Sequence, residues 1–125
     1  MLSVRVGVAA GSKPVGHHRP PMTLNELPDV APAAGEVETA ELVVDDDVLV
    51  KLFALGPGGA FEPHVHDDAT NVFHLLSGEL VVAQDGTEET VSAPAVVHNE
   101  PGVEHGARNE SDERALLTAS LCPLP

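Results

Sequence analysis

Three observations predict an all-β fold for this chain. From residue 36 onward, short apolar runs recur at regular spacing between turn residues. No segment longer than about one helical turn carries the 3.6-residue period of an amphipathic helix. The breaks between runs are rich in Gly, Pro and Asp, and include the tight-turn pair Asp85-Gly86. Many short strands joined in this way make a sandwich or a barrel.

The elements follow in order. Leu2-Ser3-Val4-Arg5-Val6-Gly7-Val8 alternates with a strand's period of two. Residues 11–35 hold Pro14, Pro20, Pro21, Pro28 and Pro32 and read as an irregular lead-in. Within it, Thr23 and Glu26 stand three apart and predict one capped helical turn. The chain therefore divides into an N-terminal strand and lead-in over 1–35 and a β domain over 36–125. Glu38–Val44 and Val48–Leu55 flank Asp45-Asp46-Asp47 as a hairpin. Phe61–His66, Asn71–Ser77, Glu79–Gln84, Glu88–Ser92, Ala95–Asn99, Val103–Arg108 and Ala115–Leu121 complete the series. There is no internal repeat.

Composition narrows the function. The chain has 125 residues, 42% of them apolar but only 2% aromatic, so Val, Leu and Ala must fill the core. Twenty Asp and Glu against six Lys and Arg give a net charge of −14. Such a surface repels phosphate backbones and anionic membranes, which excludes nucleic acid and lipid surfaces as partners. The acid excess with scarce lysine matches a halophilic protein, whose self-repulsion salt would screen; the plainer reading is an ordinary acidic protein. One cysteine, Cys122, rules out an intrachain disulfide. With no secretory signal pattern at the N-terminus and no apolar run near the ~18 residues of a membrane span, the expected location is the cytoplasm.

The chemistry lies in the histidines. His64 and His66 stand two apart after a Gly-Pro turn, and on a strand such residues point the same way. His105 follows Pro101-Gly102-Val103-Glu104. Three imidazoles on a small β scaffold suit a divalent transition metal; the plainer alternative is a polar pocket of hydrogen-bonded histidines. Glu62 shares strand parity with His64 and His66, as a fourth ligand or general base. A solvated rim carboxylate is its simpler reading.

The spacing resembles the two motifs of the cupin superfamily. The first reads Gly58, five residues, His64-Val65-His66, four residues, Asn71, six residues, Gly78. The second reads Pro94, five residues, Glu100-Pro101-Gly102, two residues, His105, three residues, Asn109. The resemblance implies a double-stranded β-helix, or jelly-roll barrel. It assigns His64, His66 and His105 as metal ligands, with Asn71 where the family carries a metal-binding glutamate. Asn71 would offer a weak carbonyl ligand, or sit behind the ligands and bond a water or a histidine. Fe, Zn, Ni, Mn or Cu would fit. The implied activity is that of a metal-dependent dioxygenase or isomerase on a small chelating substrate; the alternative is a ligand- or metal-binding module without turnover. The resemblance also implies a homodimer, formed through an outer sheet face or by exchange of the N-terminal strand.

The remaining candidates are structural. His74 falls on the face opposite Asn71, with Val72 and Leu76, and marks that face as a subunit contact. His98 lies across a turn from His105, where parity gives no guidance. His17 and His18 fall in the solvated lead-in, Asp67 and Asp68 in a loop near the mouth. Phe53, Phe61 and Phe73 belong to the core, with Phe73 sharing the cavity side of Asn71. Cys122 is an unactivated thiol.

Overall fold

The computed structural model describes residues 24–124. The strand expected over residues 1–10 and the solvated His17 and His18 lie outside the described residues. So does Thr23 of the expected capped turn, and residues 24–26 form no helix. Leu24 is 75% exposed, so a turn there would bury no apolar face to stabilise it.

Among the described residues there are nine strands and no helix: β1 (Val37–Val44), β2 (Leu49–Leu55), β3 (Ala60–His64), β4 (Thr70–Ser77), β5 (Glu79–Gln84), β6 (Thr87–Ser92), β7 (Ala95–Asn99), β8 (His105–Arg108) and β9 (Ala115–Cys122). They pair antiparallel into a five-stranded sheet, β1-β2-β9-β4-β7, and a four-stranded sheet, β3-β8-β5-β6. This is the two-sheet jelly-roll architecture expected.

Alternation builds the core between the sheets. Leu55, Phe73, Leu75, Ala115, Leu117 and Ala119 face inward from the five-stranded sheet, and Leu80, Val82 and Ala107 meet them from the other. Each large side chain so buried contributes about 1.5–3 kcal/mol. The three phenylalanines gather at one end of this core. Phe61 lies 5.0 Å from Phe53 and 5.7 Å from Phe73 between ring centroids.

The turns follow their chemistry. Asp85 and Gly86 both take positive φ, 48° and 85°, as the tight turn between β5 and β6 requires. Two strands are shorter than expected. Val103 and Glu104 do not extend β8, because their amides bond the Glu100 carbonyl and Asp85 Oδ1 instead of a neighbouring strand. His66 lies beyond the end of β3. Asn109 is buried just past β8, where its side chain donates to the carbonyls of Leu55 and Glu113 and accepts from Ser111.

Gly78 joins β4 to β5 with φ +86°, and a Cβ there would stand 2.6 Å from the Arg114 carbonyl oxygen. Gly78→Ala is expected to destabilise the protein by at least ~1–3 kcal/mol, the usual cost of such a backbone state for a side chain. Urea unfolding checks this.

Candidate metal centre

His64 closes β3 and His105 opens β8, and the two stand directly opposite each other. Their alignment depends on an irregularity. Phe61 pairs with Ala107 and His64 with His105, so Glu62 and Pro63 together oppose the single residue Gly106. That is a β-bulge. Gly106 makes it fit, since a Cβ at that position would lie 3.1 Å from Pro63 Cα and 3.3 Å from the Phe61 carbonyl oxygen. His66 follows in the loop, where its carbonyl accepts a hydrogen bond from the Gly102 amide at 2.9 Å.

The bulge breaks the two-residue parity that relates Glu62 to His64 in an unbroken strand. Phe61 and His64 now share the inner side, with ring centroids 6.5 Å apart. Glu62 is exposed and lines a shallow groove with Pro63, Gly106 and Arg108, apart from the histidines.

The three imidazoles converge. Ring centroids are 4.6 Å apart for His64–His105, 4.9 Å for His64–His66 and 5.5 Å for His66–His105. One nitrogen from each lies within 4.8 Å of the others. Backbone carbonyls orient two of the rings. His64 Nδ1 bonds the Glu62 carbonyl at 3.1 Å, and His105 Nδ1 bonds the Val103 carbonyl at 3.0 Å. A carbonyl can only accept, so each Nδ1 carries the hydrogen and each Nε2 keeps a free lone pair. His105 Nε2 is buried and has no hydrogen-bond partner. A buried acceptor left unpaired is costly, and an ion bound by all three nitrogens would satisfy it. The residues therefore fit a divalent transition metal, held by three neutral imidazoles with positions left open to other ligands.

Protonation works the same way. Burial, and secondarily the neighbouring His64, lowers the pKa of His66. Burial lowers that of His105 too, against the raising effect of its Val103 hydrogen bond and with smaller contributions from His64 and His66. Both rings thus remain neutral, and able to ligate, to lower pH than a free histidine.

The pocket in front of His64 and His66 encloses about 180 Å³. Phe53, Phe61 and Phe73 form its apolar wall. Asn71 lines it and is 5% exposed, and its Oδ1 accepts a hydrogen bond from Asn99 Nδ2 at 2.9 Å. Lys51 also lines it, from the inner face of β2. A larger cleft of about 610 Å³ lies beside β5, β6 and β7, lined in part by Gln84, Glu89 and His98, and contains no cluster of ligand atoms among the described residues.

The other sequence candidates stay apart from the three nitrogens. His74 is exposed on β4, opposite Val96 of β7. Asp67 and Asp68 are exposed in the loop after His66, and Cys122 is an exposed free thiol. Two pocket-side residues escaped the sequence reading. Lys51 stands inside the apolar run Leu49–Leu55, two residues from Phe53, and that interruption was its signal. Asn99 shares alternation with Ala95 and Val97, which points it inward.

Comparison with known proteins gives the family. The Cupin domain family profile matches residues 51–121, and the chain belongs to that family. A Mycobacterium tuberculosis protein named beta-D-galactosidase is 35% identical over 97 residues, covering 74% of this chain and 83% of its own. A protein of Thermus thermophilus with a solved crystal structure is 32% identical with a TM-score of 0.68, covering 72% of this chain and 86% of the other. A predicted oxalate decarboxylase from Thermotoga maritima is 25% identical with the same TM-score, covering 72% and 83%.

The depressed histidines set a pH dependence for the ion-free protein. Between the ordinary value of about 6.5 and the lower folded values, the unfolded chain binds protons that the folded chain does not. Stability should therefore fall as pH drops below about 6.5. Urea midpoints at stepped pH check this, and His105→Ala should shrink the effect.

Proposed function

We propose that this chain is a metal-dependent enzyme acting on a small chelating organic substrate, such as an enol, a diketone or a catechol-like compound. The observation that carries the reading is the buried, unpartnered Nε2 of His105, facing two further imidazoles. A divalent ion (Fe, Zn, Ni, Mn or Cu) would supply Lewis acidity toward a substrate oxygen and, in the case of iron, reactivity toward O₂. His64, His66 and His105 would hold it. Phe53, Phe61 and Phe73 would pack the substrate's apolar part and exclude water. The pocket, below the ~300–1,000 Å³ of sites for drug-sized ligands, favours a substrate of few heavy atoms. Oxygenative cleavage is the reaction favoured, with isomerisation next. A binding module without turnover is the alternative, supported by the absence of any Asp or Glu from the described residues lining the pocket.

A second reading rests on the Mycobacterium tuberculosis relative, whose name gives a galactoside as substrate. Ordinary glycoside hydrolysis uses two carboxyl groups about 5–9.5 Å apart across the scissile bond. Because none of the described residues lining this pocket carries one, a galactoside here would depend on the ion and the histidines.

Elemental analysis of untagged protein tests the metal reading. About one transition-metal ion per chain is expected in the wild type, and His64→Ala should lose most of it. Oxygen uptake with diketones and phenols, run beside release of nitrophenol from nitrophenyl β-D-galactoside, separates the two substrate classes. Turnover on the correct substrate should fall at least ~100-fold in His64→Ala. Bound ion with no turnover on either panel would favour the binding module.

We also propose a cytoplasmic homodimer, with the outer face of β4 and β7 as its contact. Val96 there is 65% exposed beside His74. Sedimentation at molar salt, where repulsion between acidic subunits is screened, should give twice the chain mass of 13.0 kDa. A 13.0 kDa species under those conditions would rule it out.

A further inference from the structure

The residues around the histidines carry an unusual charge pattern for this chain. The net charge is −14, yet the pocket is lined, among the described residues, by no Asp or Glu and by one lysine, Lys51. Lys51 shares the inner face of β2 with Phe53, and its Nζ lies 5.5 Å from that ring's centroid. The two described arginines already have carboxylates. Arg108 bonds Glu88 at 2.7 Å and also pairs with Glu110, and Arg114 pairs with Asp29. Among the described residues Lys51 pairs with no carboxylate, even though Glu41 stands opposite it on β1. A half-buried ammonium, stacked on a ring inside a pocket, keeps its hydrogen-bond donors for whatever enters.

Asn71 presents a second donor, and a backbone group fixes its orientation. Gln84 Nε2 donates to the His98 carbonyl at 2.9 Å, and a carbonyl can only accept. Gln84 therefore also donates to Asn99, at 2.8 Å, and the Asn99 atom it meets is Oδ1. Asn99 must then turn its Nδ2 to Asn71, whose Oδ1 accepts at 2.9 Å. The amide end of Asn71 left over is Nδ2, which donates. The amide chain thus occupies the Asn71 oxygen and leaves N–H groups for the pocket that Asn71 lines.

We infer that this pocket selects small carboxylate anions, with Lys51 and the Asn71 amide N–H holding the carboxylate while its neighbouring oxygen reaches the histidine site. The inference rests on the metal-site reading above and narrows its substrate class to chelating acids such as 2-oxo or 2-hydroxy acids. The acidic surface makes a local cation necessary for such selection, because the chain's long-range field repels anions. Lys51 is a specificity-determining residue here, not a ligand.

Pyruvate and 2,3-butanedione make a matched probe pair: both are vicinal dicarbonyl chelators of similar size, and only pyruvate is charged. Calorimetry on nickel-loaded protein should show a preference for pyruvate. Lys51→Met keeps the apolar stem, and it should weaken pyruvate about ten- to a hundredfold while leaving butanedione and nickel content unchanged. Lys51→Arg should retain most of the preference. An unchanged pyruvate-to-butanedione ratio in Lys51→Met, or no preference in the wild type, overturns the inference. Protein that takes up no nickel, zinc or iron fails the metal reading instead. In that case the same pair, titrated on ion-free protein by NMR, still decides: a pyruvate preference lost in Lys51→Met supports the anion site, and no preference overturns it.

Discussion

One extra residue in β3 decides which side chains meet in the pocket. In an unslipped ladder Pro63, not His64, would oppose His105. The bulge at Glu62 and Pro63 advances the strand by one position, so His64 faces His105 and Phe61 turns inward beside it. Proline suits the bulged position because it has no amide hydrogen to leave unpaired. Glycine opposite it suits the close backbone approach. The character of the centre follows from that local slip: the convergence of the rings, the orphaned Nε2, and the position of Glu62 outside.

The donor set then decides the electrostatics. Three neutral imidazoles leave the charge of a bound cation uncompensated, and Asn71 adds none of the negative charge that a glutamate would. Lys51 adds positive charge a short distance away. With an ion bound, a strongly positive interior would sit inside a strongly negative shell. Desolvation by the phenylalanine wall strengthens any attraction inside, whereas the shell's field is weakened by salt. The two fields should therefore respond differently to ionic strength, with contacts in the pocket outlasting the repulsion outside.

Much of this was legible in the sequence, because it depends on period and spacing. Apolar alternation and the Asp85-Gly86 turn identified the strands, and the intervals around His64, His66 and His105 pointed to the three imidazoles that converge. What escaped depends on three-dimensional detail. Strand parity placed Glu62 with the histidines, since a bulge leaves no mark in a hydrophobic pattern except a proline and a distant glycine. Asn71 was left undecided between ligand and support because its orientation is set by Asn99 and Gln84, 28 and 13 residues away, through bonds no spacing rule anticipates. Lys51 passed unremarked as one charge in an apolar strand, and only the packing of Phe53 and Phe61 around the pocket gives it a destination.

The tie between the His66 carbonyl and the Gly102 amide joins the loop that carries His66 to the turn just before His105. Glu104 and Asp85 extend the stitching, each bonding the other's backbone amide, to the tip of the β5–β6 hairpin. The frame that carries the imidazoles is therefore assembled by folding, and the ordering entropy is spent before any cation arrives. The open side of that frame is at His64, which is exposed. Such a frame would offer the same three nitrogens to any divalent ion that entered, so its occupant would follow what the surroundings keep in greatest effective supply.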